Sequence, residues 1–377
     1  MRSRARGLAR KSGVGAALKA GQADDPERKQ APLPFVGQRH VIEYFARLGP
    51  DKLAHAYLLH GPRGTGKRTF ARMLAWTLNC EKPTSFPLGY CGLCGPCVRG
   101  IHGSSGDITE VDLAFIRATD TSERKTDDIS IAQARAIIER MQFKSYEGGR
   151  PVCIIPDFEN VTQDEVPNAL LKEIEEPGQQ KLFFLTVERE EALLPTIRSR
   201  AVALRFGPLG EEEIAAHLVT HFGETRERAL SLARRAQGSL GDAIADRSSD
   251  TAVARDAARD WLLACLATPA RLPEMPQLGK DDARAQLNEV LRQARISARD
   301  LMVSSIGGTG SLFDTNAGKQ FADARRAIGA AAAMRAAKAI ELVRDAARLA
   351  ATNMAPATVL GWLQVQLRSL ADQQAAR

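Results

Sequence analysis

The 377-residue sequence contains no run of eighteen or more apolar residues, and its alanine-rich stretch 330–351 is interrupted by Arg335, Lys338, Glu341, Arg344, Asp345 and Arg348. A helix that crosses a bilayer needs about 20 consecutive apolar residues, so no membrane span is expected. Nothing at the N-terminus has the apolar central region of a secretory signal. The six histidines are scattered and suggest no histidine-built metal or catalytic cluster. Surplus charge is scarce in the body of the chain. Of the net charge of +7, residues 1–31 supply five, from eight Lys/Arg against three Asp/Glu, which leaves +2 for the other 346 residues. A near-neutral body argues against a zinc-containing nucleic-acid-binding protein that works through its basic tail.

That tail, with Arg2, Arg4, Arg6, Arg10, Lys11 and Lys19 and no acid in its first twenty residues, has the composition of a disordered segment. It also has the composition of an organellar transit peptide. A chain of this length exceeds one small core and suggests two or three domains.

What is present is organised around His55 to Cys80, HAYLLHGPRGTGKRTFARMLAWTLNC, where an apolar strand runs into a glycine-rich turn and then a helix. Gly61, Gly64 and Gly66 let the backbone curl so that successive N–H groups face one point, and Lys67 adds a charge for phosphate. A Mg-nucleotide loop needs a hydroxyl next, and the sequence has Arg68, a cation that repels the metal. Thr69 is no ready substitute, because one helical residue turns the side chain by about 100°. The loop is therefore built for phosphate and poorly built for Mg-nucleotide chemistry.

Four of the six cysteines follow as Cys80, Cys91, Cys94 and Cys97, spaced C-x10-C-x2-C-x2-C. Tetrahedral Zn²⁺ takes four thiolates from such short-spaced pairs, with Gly92, Gly95 and Pro96 turning the knuckles; disulfides are the alternative. Cys153 and Cys265 lie in apolar runs and read as core. Strands are expected at Ile108–Asp112, Pro151–Ile155, Leu182–Val187 and Ala201–Phe206, the last three buried, with helices at His40–Leu48, Ile131–Phe143 and Val166–Ile174. Alternating strands and helices behind a phosphate loop predict an open parallel α/β sheet with its ligand at the strand carboxyl ends. Beyond Gly207-Pro208-Leu209-Gly210 no strand pattern survives. Residues 211–246 predict three short helices, and 251–374 longer ones broken near Pro269–Pro276, Gly307–Gly310 and Pro356.

His55-Ala56-Tyr57 before the loop, the cysteine cluster after its helix, Asn168-Ala-Leu-Leu-Lys-Glu-Ile-Glu-Glu-Pro177 and Thr196-Ile-Arg-Ser-Arg200 together resemble bacterial clamp-loader subunits of the AAA+ class, from the DNA polymerase III holoenzyme. The resemblance covers residues 34 to about 246 and implies a tail (1–31), an AAA+ α/β domain (32–207) with a zinc module (80–97), a small helical lid (208–248) and an all-α collar-like bundle (249–377). It also implies structural Zn²⁺ on the four cysteines, a cytoplasmic location, and gamma/tau- and delta-type partner subunits. Sliding clamp and primer-template DNA are met through the complex.

Two zinc-carrying subunit types exist in that family, the ATP-hydrolysing gamma/tau type and the non-hydrolysing delta-prime type. The active type has an Asp for Mg²⁺ and a Glu for the attacking water where this chain has Pro156 and Asp157, and a sensor Arg where Gly238-Ser239-Leu240-Gly241 has Gly241. With Arg68, three parts of one active site are altered. The resemblance thus implies a delta-prime-like stator without ATPase activity of its own, and Arg200 as an arginine finger acting in trans on a neighbour; Ala201 stands where the family usually has Cys. The alternative is a gamma/tau-like ATPase with an atypical Mg site. ATP or ADP binding at Gly61, Gly64, Gly66 and Lys67 stays open, and the sensor residue after Leu185 is either Val187 or Glu188.

Overall fold

A computed structural model describes residues 33–111, 137–139, 141, 145, 148–160, 181–267, 273–279, 283–308, 311–350, 352 and 354–375. The basic tail, the helix expected at Val166–Ile174, the Asn168–Pro177 segment and most of Ile131–Phe143 lie outside them. The chain divides into two compact units, Met1–Leu209 and Gly210–Arg377.

The first unit is built on five parallel strands: β1 (Ala56–His60), β2 (Ile108–Glu110), β3 (Val152–Ile155), β4 (Leu182–Val187) and β5 (Val202–Arg205), in the order β2-β3-β4-β1-β5. Side chains alternate across a strand, and here the alternation feeds two cores. Leu58, Cys153, Ile155, Phe183, Leu185 and Val187 enter one, with Ile137 and Met141. Tyr57, Leu59, Val152, Ile154, Leu182 and Phe184 enter the other, against α1 (Arg39–Leu48) and α2 (Lys67–Leu78). Burial on both faces explains why β1, β3 and β4 read as continuous apolar runs. β5 differs from the buried strand expected at 201–206. It sits at the sheet edge on β1 alone and is alternately half-buried and exposed, because only one of its faces meets a core.

The second core is aromatic. Tilted ring contacts run from Tyr57 to Phe45 (4.8 Å) and from Phe45 to Phe70 (5.2 Å), and Phe206 closes edge-on on Phe70 at 5.8 Å. Tyr57 is fully buried, and its hydroxyl accepts the Ala54 N–H at 2.9 Å, so no polar atom is stranded there. Burial pushes its pKa up to about 12.

The second unit is helical. Three short helices, α5 (Glu211–Phe222), α6 (Arg226–Ala236) and α7 (Leu240–Ala245), follow α3 (Gly95–Ile101) and α4 (Pro195–Arg198) of the first unit in chain order. Longer helices follow: α8 (Ser249–Leu266), α9 (Ala283–Ser305), α10 (Gly318–Ile328), α11 (Ala332–Ala350) and α12 (Pro356–Ala375). Thr225 and Ser239 cap α6 and α7 by accepting the N–H groups of Arg228 and Asp242. On α11 the buried positions Ala336, Ala339, Val343, Ala346 and Ala350 form one face at three- and four-residue spacing, and small side chains there let the helix lie close along α9. Arg335, one of the charges that interrupts this alanine-rich run, is buried and donates to the carbonyls of Leu266 and Ala371 at 2.7 and 3.2 Å. It thus places a cation at the C-terminal end of α8, where the helix dipole favours one. An ion pair joins the short helices to the long ones: half-buried Arg292 of α9 donates at 2.8 Å to the buried Asp246, just after α7.

His217 on α5 is buried, its Nε2 has no hydrogen-bond partner, and His221 lies one turn away with ring centroids 4.6 Å apart. Burial, and then the neighbouring imidazole, push the His217 pKa below its ordinary value of 6.5. The folded state thus holds this ring neutral while the unfolded chain still takes up the proton. Stability from this group is complete above about pH 6.5 and falls as pH drops below it. Denaturant midpoints measured between pH 5 and 8 should show this loss, and His217→Gln should flatten that part of the profile.

Candidate functional site

The phosphate loop leaves β1 at Gly61. The Gly61 N–H donates to the Val187 carbonyl at 3.2 Å, and the Phe206 N–H donates to the His60 carbonyl at 2.7 Å, so the ends of β4 and β5 flank the turn. Gly61 has φ 140°, and a Cβ there would stand 2.0 Å from the Phe206 carbonyl oxygen; only glycine fits. Gln38, at the entrance of α1, ties the surroundings together. Its Nε2 donates to the carbonyls of Gly207 (2.7 Å) and Thr65 (3.3 Å), and its Oε1 accepts the Gly207 N–H at 3.1 Å.

Lys67 is buried, and its ammonium donates to the carbonyls of Gly61 and Pro62 at 2.6 and 2.8 Å. Burial lowers its pKa, opposed by the charges of Glu188, Asp157 and Glu159. The Glu159 carboxylate accepts the Glu188 N–H at 2.7 Å, and burial pushes its pKa up. Asp157 adopts φ 48°, with its N–H donating to the Thr186 hydroxyl at 3.2 Å. Pro156 precedes it and offers no ligand. Of the two sensor candidates, Val187 is fully buried in the core and Glu188 is exposed at the strand end.

Arg68 behaves differently from the expectation of a cation directed at a metal. It is ion-paired with Glu110 of β2, and Arg72, one helical turn on, donates to the same carboxylate at 2.7 Å. Glu110 is buried, so the pair of guanidiniums balances an otherwise costly charge. The local charge is thus shared within the fold, while the hydroxyl a metal needs is still missing. Neither Glu110 nor Gln38 stood out in the sequence. A lone acid at a strand end and a Gln before a helix carry no spacing signal.

The four cysteines meet. Their sulfurs all lie within 4.8 Å of one another, with Cys91–Cys97 and Cys94–Cys80 at 4.0 Å, and none forms a disulfide. Four thiolates about 2.3 Å from one Zn²⁺ stand about 3.8 Å apart, so this donor set fits the ion. The N–H groups of Cys94 and Leu93 point to Cys91 Sγ at 3.3 and 3.5 Å, and that of Cys91 to Cys80 Sγ at 3.3 Å. These backbone donors hold the Cys91 thiol down to about 6, favouring the thiolate, whereas burial pushes Cys97 up. Four sulfur ligands would leave no position for a reacting water, so a bound ion would be structural. The module rests on Trp76, which meets Tyr90 edge-on at 5.1 Å; a Cβ at Gly100 would come within 2.6 Å of the Trp76 ring.

Arg200 follows α4 and is exposed. Its guanidinium donates to the Thr196 carbonyl at 2.9 Å and the Ser199 hydroxyl at 3.2 Å. Arg198 instead donates to Glu190 at 3.1 Å, and the other Glu190 oxygen lies 3.4 Å from His60 Nε2. Gly241, in the first turn of α7, presents no side chain. Cys153 and Cys265 are both fully buried, as read from their apolar surroundings.

Residues 37–210 match the family model described as "DNA polymerase III, delta subunit". Over 226 residues the chain is 34% identical to DNA polymerase III subunit tau of Escherichia coli K12, covering 58% of this chain and 33% of that protein. It is 37% identical over 180 residues to subunit gamma/tau of Mycobacterium tuberculosis H37Rv, covering 46% of this chain and 28% of that one. The chain therefore spans about a third of the length of these relatives. The matched residues 37–210 hold the five-stranded parallel sheet and its phosphate loop, so it is this part of the chain that is similar to DNA polymerase III subunits.

The cysteine geometry yields a direct test. Protein purified without chelator should carry one equivalent of zinc by metal analysis, and Cys91→Ser should lose it. Structural zinc sites contribute roughly 10–16 kcal/mol in small peptides, so stripping the ion should loosen the module. The change should appear as a shift in tryptophan emission that Trp76→Phe abolishes.

Proposed function

We propose that this chain is a non-hydrolysing, delta-prime-like subunit of a DNA polymerase III clamp loader, which acts as a stator and lends Arg200 to the ATP site of a neighbouring subunit. Its partners are gamma/tau- and delta-type subunits in the cytoplasm, with the sliding clamp and primer-template DNA engaged through the complex. Cys80, Cys91, Cys94 and Cys97 hold a structural Zn²⁺ in this reading, and residues 208–248 and 249–377 serve as lid and collar.

The observation that carries the reading is the state of the phosphate loop. Lys67 spends its donors on the loop's own carbonyls, Asp157, Glu159 and Glu188 gather negative charge around it, and Arg68 and Pro156 supply none of the oxygens that Mg²⁺ requires. Phosphoryl transfer depends almost wholly on positioning and electrostatic stabilisation, and those are the parts altered. An exposed guanidinium next to a short, core-anchored helix supports the trans role: Ile197 is buried, so the segment that carries Arg200 is fixed to the sheet. A second reading, a gamma/tau-like ATPase with an atypical metal site, is favoured by the identity to tau and gamma/tau subunits.

Purified chain alone should not turn over ATP, and Arg68→Thr should not restore turnover, because Pro156 still withholds a carboxylate. Steady hydrolysis by the isolated chain would establish the second reading instead. In the reconstituted complex, Arg200→Ala should leave folding and assembly intact while lowering DNA-stimulated ATPase and clamp loading. Arginine fingers contribute about 10³–10⁵ in rate at the site they serve, and the bulk loss is smaller where several sites fire. Arg198→Ala, which breaks only an internal ion pair, should do much less. Equal clamp loading by wild type and Arg200→Ala would remove the finger role.

A further inference from the structure

Two of the six histidines, scattered as they look in the sequence, meet on one helix face. His217 and His221 lie four residues apart on α5, and their ring centres stand 4.6 Å apart with the planes tilted by 46°. His217 is only 5% exposed and its Nε2 has no hydrogen-bond partner, while His221 lies at the surface. None of this belongs to the phosphate loop, the cysteine module or Arg200.

A buried ring nitrogen without a partner is costly, and the charged groups beside this one are already answered. Phe222, whose ring centre is 6.1 Å from that of His217, carries the Arg247 guanidinium on its face at 4.0 Å, and Arg247 donates to Glu224 at 2.8 Å. The neighbouring imidazole is what remains. Burial keeps the His217 ring neutral, which is the form in which imidazole ligates a metal.

The ring spacing decides between coordination geometries. With nitrogens about 2.1 Å from a shared ion, the ring centres stand about 5.3 Å apart at a tetrahedral angle and about 4.6 Å apart at a right angle. The observed 4.6 Å matches the right angle of tetragonal nitrogen–oxygen sites, the geometry of Ni²⁺ and Cu²⁺. We propose that His217 and His221 form a two-imidazole site for a divalent transition metal of the nickel and copper class. Two histidines at this spacing on one helix face are a known way for a helix to hold such an ion. No third His, Cys, Asp or Glu joins them among the described residues, so water fills the other positions. Hard ions such as Mg²⁺, which take oxygen ligands, are not bound there.

Titration of the untagged full chain, purified without chelator, with Ni²⁺ and with Mg²⁺ at matched ionic strength tests this. One equivalent of Ni²⁺ should bind without releasing zinc and without the thiolate-to-nickel absorption that capture by the cysteine module would give. It should also raise Tm saturably, and Mg²⁺ should do neither. His221→Ala, which removes the surface ligand and leaves the core intact, should weaken Ni²⁺ binding by at least about tenfold, since even groups behind a metal ligand are worth 10–100-fold in affinity. His102→Ala removes an exposed histidine of the other unit and should leave binding unchanged. Nickel binding no stronger than that of Mg²⁺, binding that His221→Ala leaves intact, or binding that His102→Ala removes would overturn the site. The outcome is independent of the function proposed above, because neither ATP nor a partner subunit enters the measurement.

Discussion

The candidate loop depends on one close approach, that of the Gly61 backbone to the end of β5. With a would-be Cβ 2.0 Å from the Phe206 carbonyl oxygen and the N–H committed to Val187, the exit of β1 is pinned between its two neighbours. Three consequences follow from that pin. The phosphate loop starts at a fixed point, the end of β4 delivers Glu188 beside it, and the end of β5 delivers Gly207 to be clasped by Gln38. The parallel order β4-β1-β5 makes this possible, because parallel strands bring their carboxyl ends to one edge of the sheet.

Packing alone also accounts for much of the loop's glycine pattern. Gly66 has φ 95°, and a Cβ there would meet the Phe35 ring at 3.0 Å, while Phe35 itself packs edge-on against Phe70 at 5.6 Å. Gly61 and Gly66 are therefore required by neighbours within the fold, with or without a nucleotide. The same holds for Arg68 and Arg72, which balance the buried Glu110. A loop can keep its shape for these reasons after losing the residues that made it catalytic, so a glycine-lysine signature by itself carries little weight for activity. In the proposed reading the chemistry turns instead on residues packing does not require: a hydroxyl at 68, a carboxylate at 156 and a guanidinium at 241, where the chain has Arg68, Pro156 and Gly241.

The sheet was legible in the sequence because it is buried on both faces. β4 has the expected limits Leu182–Val187, and β3 begins one residue after the expected Pro151. β5 misled because an edge strand needs only one apolar face, and Ala203 and Arg205 are exposed between Val202 and Leu204. The three short helices of 211–246 and the buried Cys153 and Cys265 were also readable, the first from turn residues and the second from apolar context. The cysteines were legible as a set because their short, regular spacing is the kind a four-thiolate metal site needs. The Arg68–Glu110 pairing was not, since 42 residues separate the partners and no periodicity links them.

Arg198 and Arg200 show how one short segment gives two like residues different work. α4 is a single turn opened by Pro195 and anchored by Ile197, and it ends at Arg198. The side that faces back across the sheet edge brings Arg198 to Glu190, which it shares with His60 at the end of β1, so that guanidinium is part of the strand-end framework. Arg200 lies past the helix, and its donors reach the Thr196 carbonyl and the Ser199 hydroxyl, both neutral acceptors of its own turn. Such contacts orient the guanidinium within its own turn. In the proposed role Arg200 has an anchored backbone, an oriented side chain and an exposed position, whereas Arg198, also exposed, is tied to a carboxylate of its own fold.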